Sequence, residues 1–136
     1  MFNRKNLKGK NDMVEPIMVI TNNPTCREKL SDRYEIDFID GSAMDVLKKA
    51  RDYIHKNHRL LTHPLVSGVK PNEVPYRTVI ISKTTENTVD VESLNYIEMG
   101  IHTTQKFLRD YGVSHWSKKV LDDFSVVDYD LIRYNL

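Results

Sequence analysis

One loop of the chain collects the side chains whose types and spacing could do chemistry. Residues 63–75 contain three prolines and show no helix or strand pattern, and a structureless stretch of this length inside a compact domain is usually functional. Lys70 supplies a positive charge, while His63, Ser67 and Asn72 supply neutral donors and acceptors. This inventory predicts a site for a small polar or anionic ligand. A purely structural connection between two strands is the alternative that the sequence leaves open.

A second polar set follows the first predicted strand. Asn22 and Asn23 come directly after an apolar run and before Pro24. Asn23 is a good N-cap and Pro24 a good first helical residue, so a helix should begin here and aim backbone N–H groups at an anion. Because Asn23 is more simply explained as the cap, Asn22 is the better ligand candidate of the two.

Three histidines at the start of the loop raise the question of a metal site. The sequence places His55 on a helix, His58 just past its end and His63 beyond a short strand. The strand separates His58 from His63 by about 3.3 Å per residue, and no acidic residue completes a ligand set. We therefore predict no metal, with His55 and His58 as the residues to examine. His63 is the candidate general base, since histidine is the side chain most often used for proton transfer.

No complete catalytic constellation is evident elsewhere. The single cysteine, Cys26, excludes an intrachain disulfide framework and a Cys-x-x-Cys motif. Its place in the first turn of a predicted helix would lower its thiol pKa, yet the sequence offers no base beside it, so we interpret Cys26 as structural. The carboxylates show no paired spacing that singles out acid–base chemistry. Whether the protein is an enzyme stays open, and the sequence leans against it, with no cofactor predicted.

The size and charge of the chain exclude several classes of function. Its 136 residues carry a net charge of +1, which gives no global basic field for nucleic acid or a membrane surface. Residues 1–12 alone carry +3, so the remainder carries −2. We predict a disordered basic extension over residues 1–13 and a single α/β domain over residues 14–136. The isolated glycines exclude a P-loop and a Rossmann fingerprint.

The sequence shows no pattern typical of a membrane span or of a secretory signal. No stretch approaches the roughly 20 apolar residues of a membrane span, and the polar start has no apolar signal region. The sequence therefore predicts a cytoplasmic protein.

The elements alternate along the chain. Apolar runs and caps predict strands at residues 17–20, 34–40, 59–62 and 76–82, and helices at residues 24–31, 42–57 and 90–111. Residues 113–136 fit helix spacing through Val120, Phe124, Val127 and Leu131, although residues 126–134 could also alternate as a strand. We favour the helix.

This order predicts a three-layer α/β/α sandwich with a mostly parallel sheet of about four strands, Rossmann-like or flavodoxin-like but without a nucleotide glycine motif. Ligands of such sheets bind outside the carboxyl ends of the strands. That rule selects residues 21–24, residues 40–42 and the chain after Thr62.

Several motifs resemble the GrdX family. They are Val19-Ile20-Thr21-Asn22-Asn23-Pro24, Asp45-Val46-Leu47, Arg51-Asp52-Tyr53-Ile54-His55, His58-Arg59-Leu60-Leu61-Thr62-His63-Pro64, Val69-Lys70-Pro71-Asn72-Glu73 and Pro75-Tyr76. The resemblance covers roughly residues 17–107. The chain has Asn57 where the family commonly has glycine, and it adds the basic extension before Met13.

The resemblance implies an accessory role beside the glycine, sarcosine and betaine reductases of amino-acid-fermenting anaerobes, which are selenium-dependent and make acetyl phosphate. It carries over no reaction and no cofactor. The family's polar positions map onto Asn22, Asn23, His55, His58, Thr62, His63, Lys70, Asn72 and Tyr76. Thr62 and Tyr76 thereby join the candidate ligand site. A component of the reductase is the protein partner that the resemblance implies, and docking on it without ligand chemistry is the alternative function.

Overall fold

The computed structural model describes residues 15–136, and the predicted extension over residues 1–13 lies outside them. The strands are β1 (Ile17–Thr21), β2 (Glu35–Phe38), β3 (His58–Leu60) and β4 (Thr78–Thr85). The helices are α1 (Pro24–Leu30), α2 (Ala43–His55), α3 (Val91–Tyr111) and α4 (Lys118–Arg133), with a short 3-10 turn at Pro71–Glu73. The predicted types are confirmed for all eight main elements, including the helical C-terminal segment. Within residues 15–136 no helix is long and apolar enough to cross a membrane.

The sheet is mixed, so the prediction of a mostly parallel Rossmann-like or flavodoxin-like sandwich is wrong. Its strand order is β2-β1-β4-β3. β1 and β2 are parallel, whereas β4 runs antiparallel to both β1 and β3. The reason lies in residues 61–77, which connect β3 to β4 without a helix of crossover length. Parallel neighbours need such a crossover, so the chain turns back and β4 enters the sheet reversed.

The reversal of β4 fixes which chain ends meet. β1, β2 and β3 point the same way, so their carboxyl ends share one edge of the sheet with the start of β4. Asn22, Thr62 and Arg77 are thereby brought to this edge from three different strand ends. We call it the polar edge.

Each face of the sheet is covered by helices. Met18, Ile20 and Ile81 pack with the apolar stripes of α2 and α3, and Ile17, Val19 and Ile80 pack with Leu30 of α1 and Ile132 of α4. Alternate side chains of β1 and β4 thus enter two different cores. Burial of each such side chain contributes about 1.5–3 kcal/mol.

Helix ends follow the predicted capping. Ser42 and Asp45 form a capping box at the start of α2, and the hydrogen bond from the Ser42 backbone lowers the pKa of the Asp45 carboxyl. Asn57 follows α2 with a φ of 74°, the left-handed conformation that asparagine tolerates better than most residues. The prediction that Asn57 ends this helix is confirmed.

Candidate functional site

Asn22 ties three segments together at the polar edge. Its Nδ2 donates to the carbonyl oxygens of Gly41 (3.1 Å) and Pro75 (2.9 Å), and its Oδ1 accepts from the backbone N–H of Arg77 (2.8 Å). The Asn22 side chain is buried, and these protein groups occupy both its amide nitrogen and its amide oxygen. Asn22 therefore positions Arg77, which directly precedes β4, and with it the start of β4.

Asn23 is the predicted cap of α1 and also joins α1 to α4. Its Oδ1 accepts from the backbone N–H of Thr25 (3.0 Å) and from Ser125 Oγ (2.8 Å). Its Nδ2 donates to the Ser125 carbonyl oxygen (2.8 Å) and to Asp128 Oδ2 (2.9 Å). A fully buried side chain with this many partners is structural, and the cap interpretation of Asn23 is confirmed.

A chain of hydrogen bonds runs through the sheet to Asp128. The backbone N–H of Asn23 donates to Thr21 Oγ1 (2.9 Å), the Thr21 and Thr78 hydroxyl oxygens lie 2.7 Å apart, and Thr78 Oγ1 donates to Asp128 Oδ2 (2.6 Å). Since the Thr78 proton goes to Asp128, Thr21 donates to Thr78. The chain fixes the Asp128 carboxylate against the polar edge and so fixes α4.

Cys26 lies behind this chain, fully buried. Its Sγ is 3.5 Å from Thr78 Oγ1 and 3.7 Å from Asp128 Oδ2. Burial raises the pKa of the Cys26 thiol to about 12, with Thr78 opposing the rise and Asp128 adding to it. The lowered pKa expected from the helix N-terminus is wrong because desolvation dominates. Cys26 is a structural thiol here.

Arg77 presents a buried positive charge at the same edge. The residue is only 5% exposed, and burial lowers the pKa of its guanidinium while Asp128 opposes that effect. Its backbone N–H donates to Asn22 Oδ1 (2.8 Å). No hydrogen bond or ion pair joins its guanidinium to any residue of the 15–136 range.

Arg77 borders an open cleft of about 210 Å³ between the loop, the start of β4 and α4. We call it the Arg77 cleft; it is lined by Thr62, His63, Val66, Arg77, Thr78, Asp128, Leu131, Ile132 and Asn135. Val69, Val74, Phe124 and Val127 form its apolar continuation. Arg77 and Asp128 are the charged residues of this lining. Arg77 directly precedes β4, and Asp128 belongs to α4.

Two of the predicted ligand residues line the Arg77 cleft. Thr62 is buried, and its Oγ1 accepts from the backbone N–H of Ile80 (2.9 Å). His63 is exposed, with Nδ1 2.9 Å from the Leu65 carbonyl oxygen and its ring edge-on to Tyr96. A Cβ on Gly100 of α3 would lie 3.0 Å from Pro64, so this glycine lets the loop approach α3 closely beside His63.

The other predicted loop residues lie away from this lining. Ser67 is exposed, Tyr76 is half-buried, and the exposed Lys70 has its Nζ 5.6 Å from the centre of the Tyr111 ring. Asn72 is buried; its Nδ2 donates to the Gly112 carbonyl oxygen (3.2 Å), while its Oδ1 has no partner. Asn72 lines a separate apolar groove with Leu108 and Trp116. Their roles in ligand binding stay predictions.

The histidines considered for a metal have separate surroundings. His55 is exposed at the end of α2, while His58 Nδ1 lies 2.7 Å from the Ser82 carbonyl oxygen with its ring edge-on to Tyr53. Across residues 15–136, no cluster of three His, Cys, Asp or Glu side chains could hold a metal ion.

Comparison with protein families bears on the whole described domain. A family model described as GrdX-like protein matches residues 18–136. The chain belongs to the GrdX-like family. Comparisons with curated proteins and with solved structures each return no match. The match extends beyond residue 107, so α4 and its Asp128 belong to the GrdX-like region as well.

Sequence reasoning missed three residues of the candidate site: Arg77, Thr78 and Asp128. Arg77 directly precedes an apolar strand, and a charged residue at that point was a usable signal. Nothing in the sequence placed Asp128 of α4 against Thr78 (Oδ2 to Oγ1, 2.6 Å), because the two are 50 residues apart.

Proposed function

We propose that the protein binds a small ligand through an anionic group in the Arg77 cleft. Through that binding it serves as an accessory protein of amino-acid reductase metabolism, as the GrdX-like family suggests. The observation that carries the proposal is Arg77, a residue that is 5% exposed and lines the cleft, and whose guanidinium has no hydrogen bond or ion pair within residues 15–136.

The energetics of Arg77 support an anionic ligand. Desolvation of a charge that has no hydrogen-bonded partner destabilises a fold, and an arginine side chain does not escape this by deprotonation. A carboxylate or phosphate would supply the missing acceptor, and the planar guanidinium can hold either with two parallel hydrogen bonds. Arg77 thus has the properties of a ligand-binding residue more than of a stabilising one.

The size and walls of the cleft favour a small molecule. Its volume of about 210 Å³ falls below the roughly 300–1,000 Å³ of pockets for drug-sized ligands. Thr62 and His63 supply polar groups along one side, and Leu131 and Ile132 supply apolar surface along the other. A carboxylic acid or phosphate compound of a few carbons suits this lining.

Thermal-shift measurements followed by calorimetric titration test the proposal. Acetate, inorganic phosphate, acetyl phosphate and glycine are the probes. A ligand at 100 times its Kd should stabilise the fold by about 2.7 kcal/mol. We expect Arg77→Met to abolish the shift and Lys70→Met, the matched loss of an exposed cation, to retain it. Unchanged binding in Arg77→Met, or binding lost only in Lys70→Met, would overturn the assignment.

Docking on a component of the reductase is the second candidate. Its motivation is an exposed apolar stripe formed by Val127 (54% exposed) and Leu131 (47%) of α4 and by Tyr134 (64%) just past the end of α4. Exposed apolar patches commonly mark interaction sites. Affinity capture with the natural chain and with Tyr134→Asp tests it. Recovery of a reductase component by the natural chain alone supports docking, and recovery by neither chain rejects it.

A further inference from the structure

The two charges of the Arg77 cleft suggest what kind of anion it takes. Asp128 lines the same cleft as Arg77, yet no ion pair joins the two side chains. The remaining lining residues carry no full charge, apart from the titratable His63. The walls therefore carry one positive and one negative group that attract each other through space but form no ion pair, so each keeps hydrogen-bonding capacity for a ligand.

Asp128 is hydrogen-bonded to residues other than Arg77. Its Oδ2 accepts hydrogen bonds from Thr78 Oγ1 (2.6 Å) and Asn23 Nδ2 (2.9 Å), and both donors sit on the sheet side of α4. Its Oδ1 has no hydrogen-bond partner in residues 15–136. The carboxylate is fixed by one oxygen and keeps the other available.

We propose that the ligand of the Arg77 cleft is a small zwitterion, with a carboxylate held by Arg77 and an ammonium group held by Asp128. The proposal rests on the proposed function and narrows its ligand to free amino acids of a few carbons. A simple anion would gain the attraction of Arg77 but meet the repulsion of Asp128, and a simple cation would meet the reverse. A zwitterion is attracted by both Arg77 and Asp128. Two opposite charges at fixed positions therefore favour a zwitterion over a simple anion or cation.

Matched ligand pairs separate charge from size. Glycine is compared with glycolate, which lacks the ammonium group, and with glycinamide, which lacks the carboxylate. β-Alanine and 3-hydroxypropionate repeat the comparison with one more carbon, so that the spacing of the two charges is also sampled. At neutral pH and low salt, we expect at least one amino acid to bind about tenfold or more tighter than its hydroxy acid.

Asp128→Asn provides the second arm of the test. The amide oxygen of asparagine can still accept from Thr78, so the variant removes the charge and keeps an acceptor. We expect it to lose the preference for amino acids and to bind hydroxy acids more tightly than the natural chain does. Asp130→Asn is the matched control, because Asp130 is an exposed residue of α4 paired with Arg133. It should keep the natural preference.

The outcomes distinguish this inference from the proposed function. Arg77-dependent binding of hydroxy acids and amino acids with equal affinity overturns the zwitterion and leaves the anion site standing. Binding of none of the matched ligands, nor of acetate or phosphate, overturns both. If Asp128→Asn does not fold, the ligand pairs on the natural chain still decide.

Discussion

Arg77 and Asp128 border one cleft at the polar edge without forming an ion pair. Each is fixed by a separate structural device. Asn22 holds the backbone of Arg77, whereas Thr78 and Asn23 hold one oxygen of Asp128. A group in a cleft whose pKa is perturbed by both desolvation and a specific charged neighbour, as Arg77 is by burial and Asp128, is a candidate for a functional site.

Asn23→Ala should destabilise the fold far more than loss of a simple helix cap. The substitution removes the cap of α1 and leaves buried partners on Ser125 and Asp128 unsatisfied, so we expect a loss of about 2–4 kcal/mol. Ser42→Ala, which removes a cap on an exposed turn, should cost about 1 kcal/mol. Urea unfolding of both variants gives the comparison. Equal losses would show that Asn23 does not hold α4.

Asn57 should respond to substitution through its backbone. With φ at 74°, Asn57→Ala forces a Cβ into the left-handed region and should lower the free energy of unfolding by about 1 kcal/mol. Asn57→Gly should leave it unchanged or raise it, since glycine adopts this conformation freely. Chemical denaturation of the two variants checks the sign. A loss in Asn57→Gly as large as in Asn57→Ala would mean that the asparagine side chain is what matters.

Cys26 should make the protein less stable in alkali. Its pKa is raised from about 9 to about 12, so its contribution is complete below pH 9 and is lost as the pH rises towards 12. Through that window one proton corresponds to a slope of about 1.4 kcal/mol per pH unit. We expect Cys26→Ala to flatten the slope of the unfolding free energy between about pH 8 and pH 10.

Tyr53 provides the control for this pH dependence. Burial, aided by its hydrogen bond to Asp37, raises its pKa to about 12, so its contribution begins to fall only above pH 10, where the unfolded tyrosine titrates. Tyr53→Phe should therefore leave the slope below pH 10 intact. An unchanged slope in Cys26→Ala would contradict the burial of a neutral thiol.

Gly100→Ala should weaken ligand binding without unfolding the protein. The added Cβ would lie 3.0 Å from Pro64 and push the loop that carries His63, while alanine improves the helix by about 1 kcal/mol. We expect a melting temperature within a few degrees of the natural one and a several-fold higher Kd. An unchanged Kd would show that the close approach of the loop to α3 does not shape the cleft.

The helices and strands are predictable from local sequence, whereas the predicted parallel direction of β4 is wrong. Caps such as Asn23, Ser42 and Asp90, and the stripe that ends at Leu131, specify their helices through neighbouring residues. The reversal of β4 depends on the connection over residues 61–77. The sequence shows no helix pattern in this connection, and that absence favours an antiparallel pairing of β3 with β4.

The predicted ligand residues line the Arg77 cleft only in part. Thr62 and His63 line the Arg77 cleft, because they follow β3 directly. Asn22 and Asn23 lie at the same edge but are occupied by structural hydrogen bonds. The meeting of Arg77 with Asp128 arises from the docking of α4, which depends on packing between distant segments and leaves no local signal.

Arg77→Met should abolish ligand binding without lowering the stability of the fold. Methionine preserves much of the apolar stem of Arg77, which lines the cleft together with Val66 and Leu131. It removes a largely buried charge that has no hydrogen bond or ion pair within residues 15–136. Replacement of buried charges by apolar groups is often neutral or stabilising, so we expect an equal or higher melting temperature. A marked fall in melting temperature would mean that the guanidinium stabilises the fold, which would remove the main reason to assign it to a ligand.

Calorimetric titration of the natural chain and of Arg77→Met with the same small carboxylates, amino acids and phosphate tests the central claim most directly. The account predicts saturable binding to the natural chain and none to the folded Arg77→Met variant. Equal binding by the two chains, or saturable binding by neither, would contradict it.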